Sequence, residues 1–149
     1  SMELNCERHG AGPPLLLVHG LGGSVRSWDG ILPMLARGRE VILVDLPGHG
    51  GSPALPGCQT IAAYADALEQ FIDRNGLGGV DTVGSSVGAR LVLELARRGI
   101  GGHTVAYGWC ASCGDAFRRS RTAVPRGPFC SRNCRRSPVP LIPCWSRTS

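Results

Sequence analysis

The chain has 149 residues, which suits one domain better than two, and it carries a formal net charge of +5. All 16 basic residues are Arg; residues 1–105 hold 8 Arg against 10 acidic residues (net −2), and residues 106–149 hold 8 Arg against Asp115 alone (net +7). No apolar run approaches the roughly 20 residues that cross a bilayer, and the N-terminus lacks the basic start and apolar core of a secretory signal. We therefore expect a cytoplasmic protein with no membrane partner, whose thiols are reduced or metal-bound.

Short apolar runs alternate with amphipathic stretches in the first 105 residues. A continuous apolar run bounded by Pro or Gly is typical of a strand buried on both faces, and apolar residues spaced three and four apart are typical of a helix that covers a sheet. In chain order we predict strand Leu15–Val18, a helix over about Trp28–Ala36, strand Val41–Val44, a helix near Ile61–Arg74, strand Val80–Val83, a helix over about Val87–Arg98, and the start of a strand at Thr104–Tyr107. Ser27 and Thr60 are the predicted N-caps of the first two helices.

This order of elements predicts the α/β class, with a mostly parallel sheet and flanking helices, because buried parallel strands are joined through crossover helices. Ligands of such sheets bind at the carboxyl ends of the strands. We therefore expect the chemistry of the protein in the loops that directly follow the predicted strands.

The loop after the third predicted strand has the pattern G-x-S-x-G, formed by Gly84, Ser86 and Gly88. A strand that turns straight into a helix holds its central residue in a strained conformation and leaves room only for small neighbours. The strain would expose the Ser86 hydroxyl, and the Val87 amide would point toward a developing oxyanion. A Ser/Gly-rich turn without catalysis is the alternative, but the position between strand and helix favours the nucleophile.

Two further loops follow the first and second predicted strands. In the first, Gly20 lets the backbone approach a substrate closely, and the Leu21 amide is a candidate second oxyanion donor, while a tight structural turn is the alternative. We interpret His19 as a structural hydrogen-bonding residue. In the second loop, Asp45–Ser52, we expect a structural role, and we do not expect His49 to be a general base.

These three loops together resemble the α/β-hydrolase family. The matching segments are Leu17–Ser24, Asp45–Ser52 and Val83–Gly88, and the resemblance covers about Pro14 to Val105. It implies Ser86 as nucleophile, the Leu21 and Val87 amides as oxyanion hole, a small-molecule ester or related acyl substrate, and no cofactor.

The family's acid and base follow the nucleophile in the order Ser, acid, His. After Ser86 the sequence offers only His103 as a base, and only Glu94 and Asp115 as acids. His103 starts the strand that follows the predicted helix after Ser86, so we expect it at the end of the sheet opposite to Ser86. The sequence therefore predicts the N-terminal half of a hydrolase, incomplete and with impaired activity.

Residues 106–149 form an irregular segment rich in Arg, Cys, Ser and Pro. Its spacing C-x2-C and then C-x3-C fits a four-thiolate zinc site; the four candidate ligands are Cys110, Cys113, Cys130 and Cys134. In that case the segment is a small zinc module, and residues 1–105 are an inactive hydrolase-like scaffold. The module would bind nucleic acid, whose phosphates its Arg residues suit, or a protein. A frameshift in GC-rich DNA explains the composition as well, and we favour it slightly.

Both interpretations divide the chain into residues 1–105 and residues 106–149, and both leave the predicted sheet incomplete. An incomplete sheet exposes the apolar edge of strand Thr104–Tyr107. We therefore expect self-association through that edge, and a non-catalytic subunit that completes its sheet by association is a third alternative.

Overall fold

The computed structural model describes residues 2–57 and 59–108. They form one five-stranded sheet in the order β1-β3-β2-β4-β5. The strands are β1 (Cys6–His9), β2 (Pro14–Val18), β3 (Glu40–Val44), β4 (Asp81–Ser85) and β5 (Thr104–Tyr107). The helices are a 3₁₀ turn (Val25–Trp28), α1 (Leu32–Leu35), α2 (Ile61–Arg74) and α3 (Val87–Arg97).

Strands β2 to β5 are parallel, which confirms the predicted α/β class. Strand β1 was not predicted: it pairs antiparallel with β3, with Cys6 opposite Val44 and His9 opposite Val41. Its sequence, CERH, contains no apolar run, so the pairing depends on the neighbouring strand rather than on its own pattern.

The predicted helix over Trp28–Ala36 is wrong, because the structure has a 3₁₀ turn and a single helical turn there instead. The N-cap is Ser24 rather than Ser27: the Ser24 hydroxyl accepts from the Arg26 amide, and the Ser27 hydroxyl accepts from the Ser24 amide. The cap therefore starts the 3₁₀ turn three residues earlier, and Gly30 and Pro33 interrupt a longer helix.

The other predicted elements are close to their predicted positions. Helix α2 has the predicted bounds, and the Thr60 hydroxyl caps it by accepting from the Ala63 amide at 3.0 Å. Strand β5 also has the predicted bounds, and α3 ends one residue early. Strand β4 is shifted one to two residues toward the loop that carries Ser86.

The apolar runs of β2 and β3 divide between two cores, because successive side chains of a strand point to opposite faces. Leu16 and Ile42 pack with α2 and α3 in the larger core, and Leu17 and Leu43 pack with the 3₁₀ turn and α1 in the smaller one. All four side chains are fully buried. Because β2, β3 and β4 are parallel neighbours, their carboxyl ends lie together at one edge of the sheet.

Candidate active site

Ser86 occupies the turn between β4 and α3. Its φ of 56° and ψ of −116° make it the one non-glycine residue with positive φ in the part of the chain that the structure describes. Such a conformation costs on the order of 1–3 kcal/mol and persists only where the surroundings enforce it. Here the Ser86 amide donates to the Tyr107 carbonyl at 3.0 Å and the Arg90 amide donates to the Ser86 carbonyl at 3.3 Å. The Ser86 side chain is exposed.

The two glycines of the pattern let α3 pack directly on the sheet. A Cβ atom at Gly84 would lie 2.2 Å from the Gly88 carbonyl oxygen, and one at Gly88 would lie 2.0 Å from the Val18 carbonyl oxygen. Real Cβ atoms do not approach backbone so closely, so both positions require glycine. The close packing places the N-terminus of α3, and with it the Val87 amide, at the carboxyl edge of the sheet.

The turn after β2 lies against Ser86. A Cβ atom at Gly20 would be 3.1 Å from the Ser86 Cβ and 3.6 Å from its Oγ. The turn is closed by the Gly23 amide, which donates to the Gly20 carbonyl at 3.0 Å. The structure therefore brings the predicted Gly20–Leu21 segment and the Ser86 turn together.

A cleft of about 210 Å³ opens beside these two turns. It is lined by His19, Gly20, Leu21, Gly23, Ser27, Trp28, Ser85 and Tyr107. The rings of Trp28 and Tyr107 meet edge to face, with centroids 6.5 Å apart. None of these lining residues is acidic or a cation of the Arg or Lys type, so the cleft suits an uncharged group.

His19 is fully buried, and both of its ring nitrogens are engaged. Its Nε2 accepts from the Leu46 amide at 3.0 Å, and its Nδ1 lies 2.7 Å from the Gly20 carbonyl oxygen. Because a carbonyl only accepts, Nδ1 carries the proton and the ring is neutral. Burial lowers the pKa of His19 and outweighs the opposing effect of the hydrogen bond to Gly20. The ring therefore has no free nitrogen to take a proton from Ser86.

Asp45 is a buried carboxylate that sequence reasoning missed as an individual residue. Its Oδ1 accepts from the Val25 amide at 2.8 Å, and its Oδ2 accepts from the Gly51 amide at 2.9 Å and the Asn5 side-chain amide at 2.8 Å. Burial acts to raise the pKa of Asp45, but these hydrogen bonds outweigh it and hold the pKa below its ordinary value. Asp45 thus ties three loops together, and its position directly after a buried strand was the available signal.

The remaining histidines have partners of their own. His103, 94% exposed at its side chain, pairs with Asp81 at the amino end of β4 (Nδ1 to Oδ1, 3.2 Å), which is the opposite end of the sheet, as expected. His9 pairs with Glu7 on β1. His49 accepts from the Gly22 amide.

The two acidic residues that follow Ser86 in the sequence are not shown near Ser86 either. Glu94 is on α3, where it binds Arg97 and Arg98. Asp115 and the four predicted zinc ligands, Cys110, Cys113, Cys130 and Cys134, lie outside the described residues. Within those residues, no cluster of three or more His, Cys, Asp or Glu side chains could hold a metal ion, and no helix is long and apolar enough to cross a membrane.

The turn geometry and the sheet order agree with the comparisons with known proteins. Residues 13–104 match the family model described as alpha/beta hydrolase fold. The chain belongs to this family. It is 38% identical over 96 residues to a pimeloyl-[acyl-carrier protein] methyl ester esterase of Methylococcus capsulatus, and this match covers 64% of the chain and 36% of that esterase.

Solved structures give the same assignment. A marine microorganism esterase is 28% identical, with a TM-score of 0.67, over 71% of this chain and 41% of that one. A thermophilic esterase from Thermogutta terrifontis is 32% identical, with a TM-score of 0.65, over 70% of this chain and 40% of that one. The chain spans between 20% and 50% of the length of the curated relatives that it matches.

Proposed function

We propose that the protein is a serine hydrolase that attacks a small-molecule ester or related acyl compound through Ser86. The observation that carries this proposal is the strained, exposed conformation of Ser86 at the start of α3, directly against the Gly20 turn. Strain of this kind is costly, and it concentrates at functional sites. An ordinary serine in a strand-to-helix turn needs neither the positive φ nor the close approach of a second glycine turn.

The reaction begins with attack of the Ser86 Oγ on the acyl carbon, while the hydroxyl proton passes to a base. The carbonyl oxygen becomes an oxyanion, which the backbone amides of Leu21 and Val87 stabilise by hydrogen bonds. The Val87 amide is suited to this because the first amides of a helix have no intrahelical acceptor. The oxyanion then collapses, the alcohol leaves with a proton, and water hydrolyses the acyl-enzyme.

The base of this reaction is not among the described histidines, because His19 and His49 have both ring nitrogens engaged and His9 and His103 lie at the other end of the sheet. A serine hydroxyl without a base is a weak nucleophile. We therefore propose that these residues alone support slow acylation and weak turnover. No cofactor is needed for this chemistry.

The names of the relatives support the substrate class. Two of the proteins that resemble this chain at 32–38% identity are named esterases. The uncharged cleft of about 210 Å³ beside Ser86 fits a small neutral acyl group.

A fluorophosphonate probe tests the proposal, because it bonds covalently to a nucleophilic serine at a rate that reports the reactivity of the hydroxyl. We expect slow labelling of the full chain at one site, found at Ser86 by peptide mass spectrometry. Ser86→Ala should abolish the labelling and Ser85→Ala, the adjacent serine, should retain it. Equal labelling of the Ser86→Ala chain and the parent overturns the proposal.

A further inference from the structure

His19 and His49 form a reciprocal pair of hydrogen bonds between the loop after β2 and the loop after β3. His19, in the first loop, accepts the Leu46 amide of the second loop at 3.0 Å. His49, in the second loop, accepts the Gly22 amide of the first loop at 2.9 Å. The two rings lie with their centroids 5.1 Å apart. We name this pair of imidazoles the histidine clamp.

The partners of the clamp fix its protonation state. The Nδ1 of His49 lies 3.0 Å from the Pro47 carbonyl oxygen, as that of His19 lies against the Gly20 carbonyl. Each Nδ1 must therefore carry the proton that its carbonyl accepts, and each Nε2 must keep the lone pair that receives an amide. A second proton on either ring would face an N–H donor, and the hydrogen bond between the loops would be lost.

We propose that neutral His49 is a positioning residue that holds the turn of Gly20 to Gly23, and with it the Leu21 amide, against Ser86. Gly22 is the third residue of that turn, has a positive φ of 77°, and donates its amide to the His49 Nε2. The consequence for catalysis rests on the proposed function; the existence of the clamp does not.

Asp45 is a charged group that acts on the clamp, through its effect on His19. The Asp45 carboxylate already receives three hydrogen bonds from other groups. It is therefore committed to the loops rather than to either ring of the clamp.

Two substitutions separate the acceptor from the ring. His49→Phe keeps a ring but has no acceptor for Gly22, and His49→Gln lacks the ring but places an amide oxygen at about the reach of Nε2. Protection of the Gly22 amide that is lost in His49→Phe and kept in His49→Gln therefore reports the acceptor rather than the ring. His103→Phe, at the exposed opposite end of the sheet, is the matched control for loss of a histidine.

Amide hydrogen exchange and ¹H–¹⁵N shifts of Gly22 are measured on the full chain at one fixed pH. We expect Gly22 exchange to rise about tenfold in His49→Phe, as for loss of one ordinary hydrogen bond, and to stay within about twofold in His49→Gln. His103→Phe should leave both the shift and the exchange rate of Gly22 as they are in the parent.

Unchanged Gly22 exchange in a folded His49→Phe chain, or Gly22 exchange in His49→Gln as fast as in His49→Phe, overturns the proposal. If His49→Phe does not fold, His49→Ala takes its place in this comparison. The labelling rate of Ser86 should fall about tenfold in His49→Phe and recover in His49→Gln. A parent chain that is not labelled at all contradicts the proposed function, whereas the Gly22 measurements then still test the clamp.

Discussion

The two faces of the sheet are covered very differently. One face packs against α2 and α3, of 14 and 11 residues, and the other packs against a 3₁₀ turn and α1, of four residues each. On the second face the side chains of β2 and β3 are buried, but Val105 and Tyr107 of β5 are 40% and 44% exposed. The cleft beside Ser86 opens on this thinly covered face, where Trp28 and Tyr107 line it. We therefore expect most of the stability to come from the helical face, whereas the cleft opens on the other.

The largest difference between the faces should appear where α3 touches the sheet. In Gly88→Ala the new Cβ would stand 2.0 Å from the Val18 carbonyl oxygen and 2.6 Å from that of His19, both of which are backbone atoms that cannot yield. We expect a loss of more than about 4 kcal/mol in the free energy of unfolding, or no folded protein. Urea denaturation followed by circular dichroism measures it.

The control is Gly78→Ala, at a turn with open space around its Cβ position. Its free energy of unfolding should stay within about 0.5 kcal/mol of the parent. Equal urea midpoints for the two alanine variants would show that α3 does not depend on this close approach.

A pair of leucines compares the two helical layers directly. Leu91 of α3 is fully buried, and Leu35 of α1 is half-buried. Leu91→Ala should cost about 2–5 kcal/mol, because it removes buried surface and leaves a cavity. Leu35→Ala should cost about 1 kcal/mol, since less surface leaves water and the site can relax. Equal losses in urea denaturation would mean that the thin layer carries as much stability as the thick one.

Two carboxylates extend the comparison to pH. Hydrogen bonds hold the pKa of Asp45 below its ordinary 3.8 against the opposing effect of burial. The hydrogen bond from Arg97 likewise lowers the pKa of Glu94 on the helical face. A carboxyl whose pKa is lower in the folded state stabilises that state above the unfolded pKa, and this contribution is lost as the pH falls below about 4.

Asp45→Asn should therefore cost about 1–3 kcal/mol at neutral pH, because it unbalances a buried hydrogen-bonded group. Glu94→Gln should cost less than about 1 kcal/mol, and added salt should reduce that cost, since Glu94 is paired with Arg97, whose side chain is 60% exposed. Thermal unfolding at pH 7 and pH 3, with and without salt, measures both. A salt-independent loss in Glu94→Gln that is larger than the loss in Asp45→Asn would show that Glu94, and not Asp45, is the carboxylate that matters more for stability.

The elements that sequence predicted well are those whose signals are local. Helix α2 combines an N-cap at Thr60 with a continuous apolar stripe, and both its ends were predicted. The Ser86 turn was found because its glycines are required by backbone contact, which a short pattern records. Strand β1 was missed because four residues without an apolar run become a strand only through pairing with β3.

The site was predicted in part for the same reason. Ser86 and the Gly20 turn are each visible as patterns, and the order of the strands brings them together. The histidine clamp depends on loops from β2 and β3, which are adjacent strands but lie 27 residues apart at the contact of Gly22 with His49. Nothing local to His49 distinguishes an imidazole that accepts an amide from a histidine in an exposed turn.

The smallest effect on stability, and the most direct test of the thin face, is expected at β5. Among the described strands β5 is last in the sheet, and its TVAY sequence has no charge or proline to discourage pairing with another chain. We expect the full chain to self-associate in a concentration-dependent way in sedimentation velocity. Val105→Lys should weaken this association while changing the free energy of unfolding by less than about 1 kcal/mol, because Val105 is already 40% exposed. Met34→Lys, on exposed α1, adds the same charge away from β5 and should leave the association unchanged. A monomeric parent, or equal weakening by both substitutions, would show that β5 is not the surface through which copies meet.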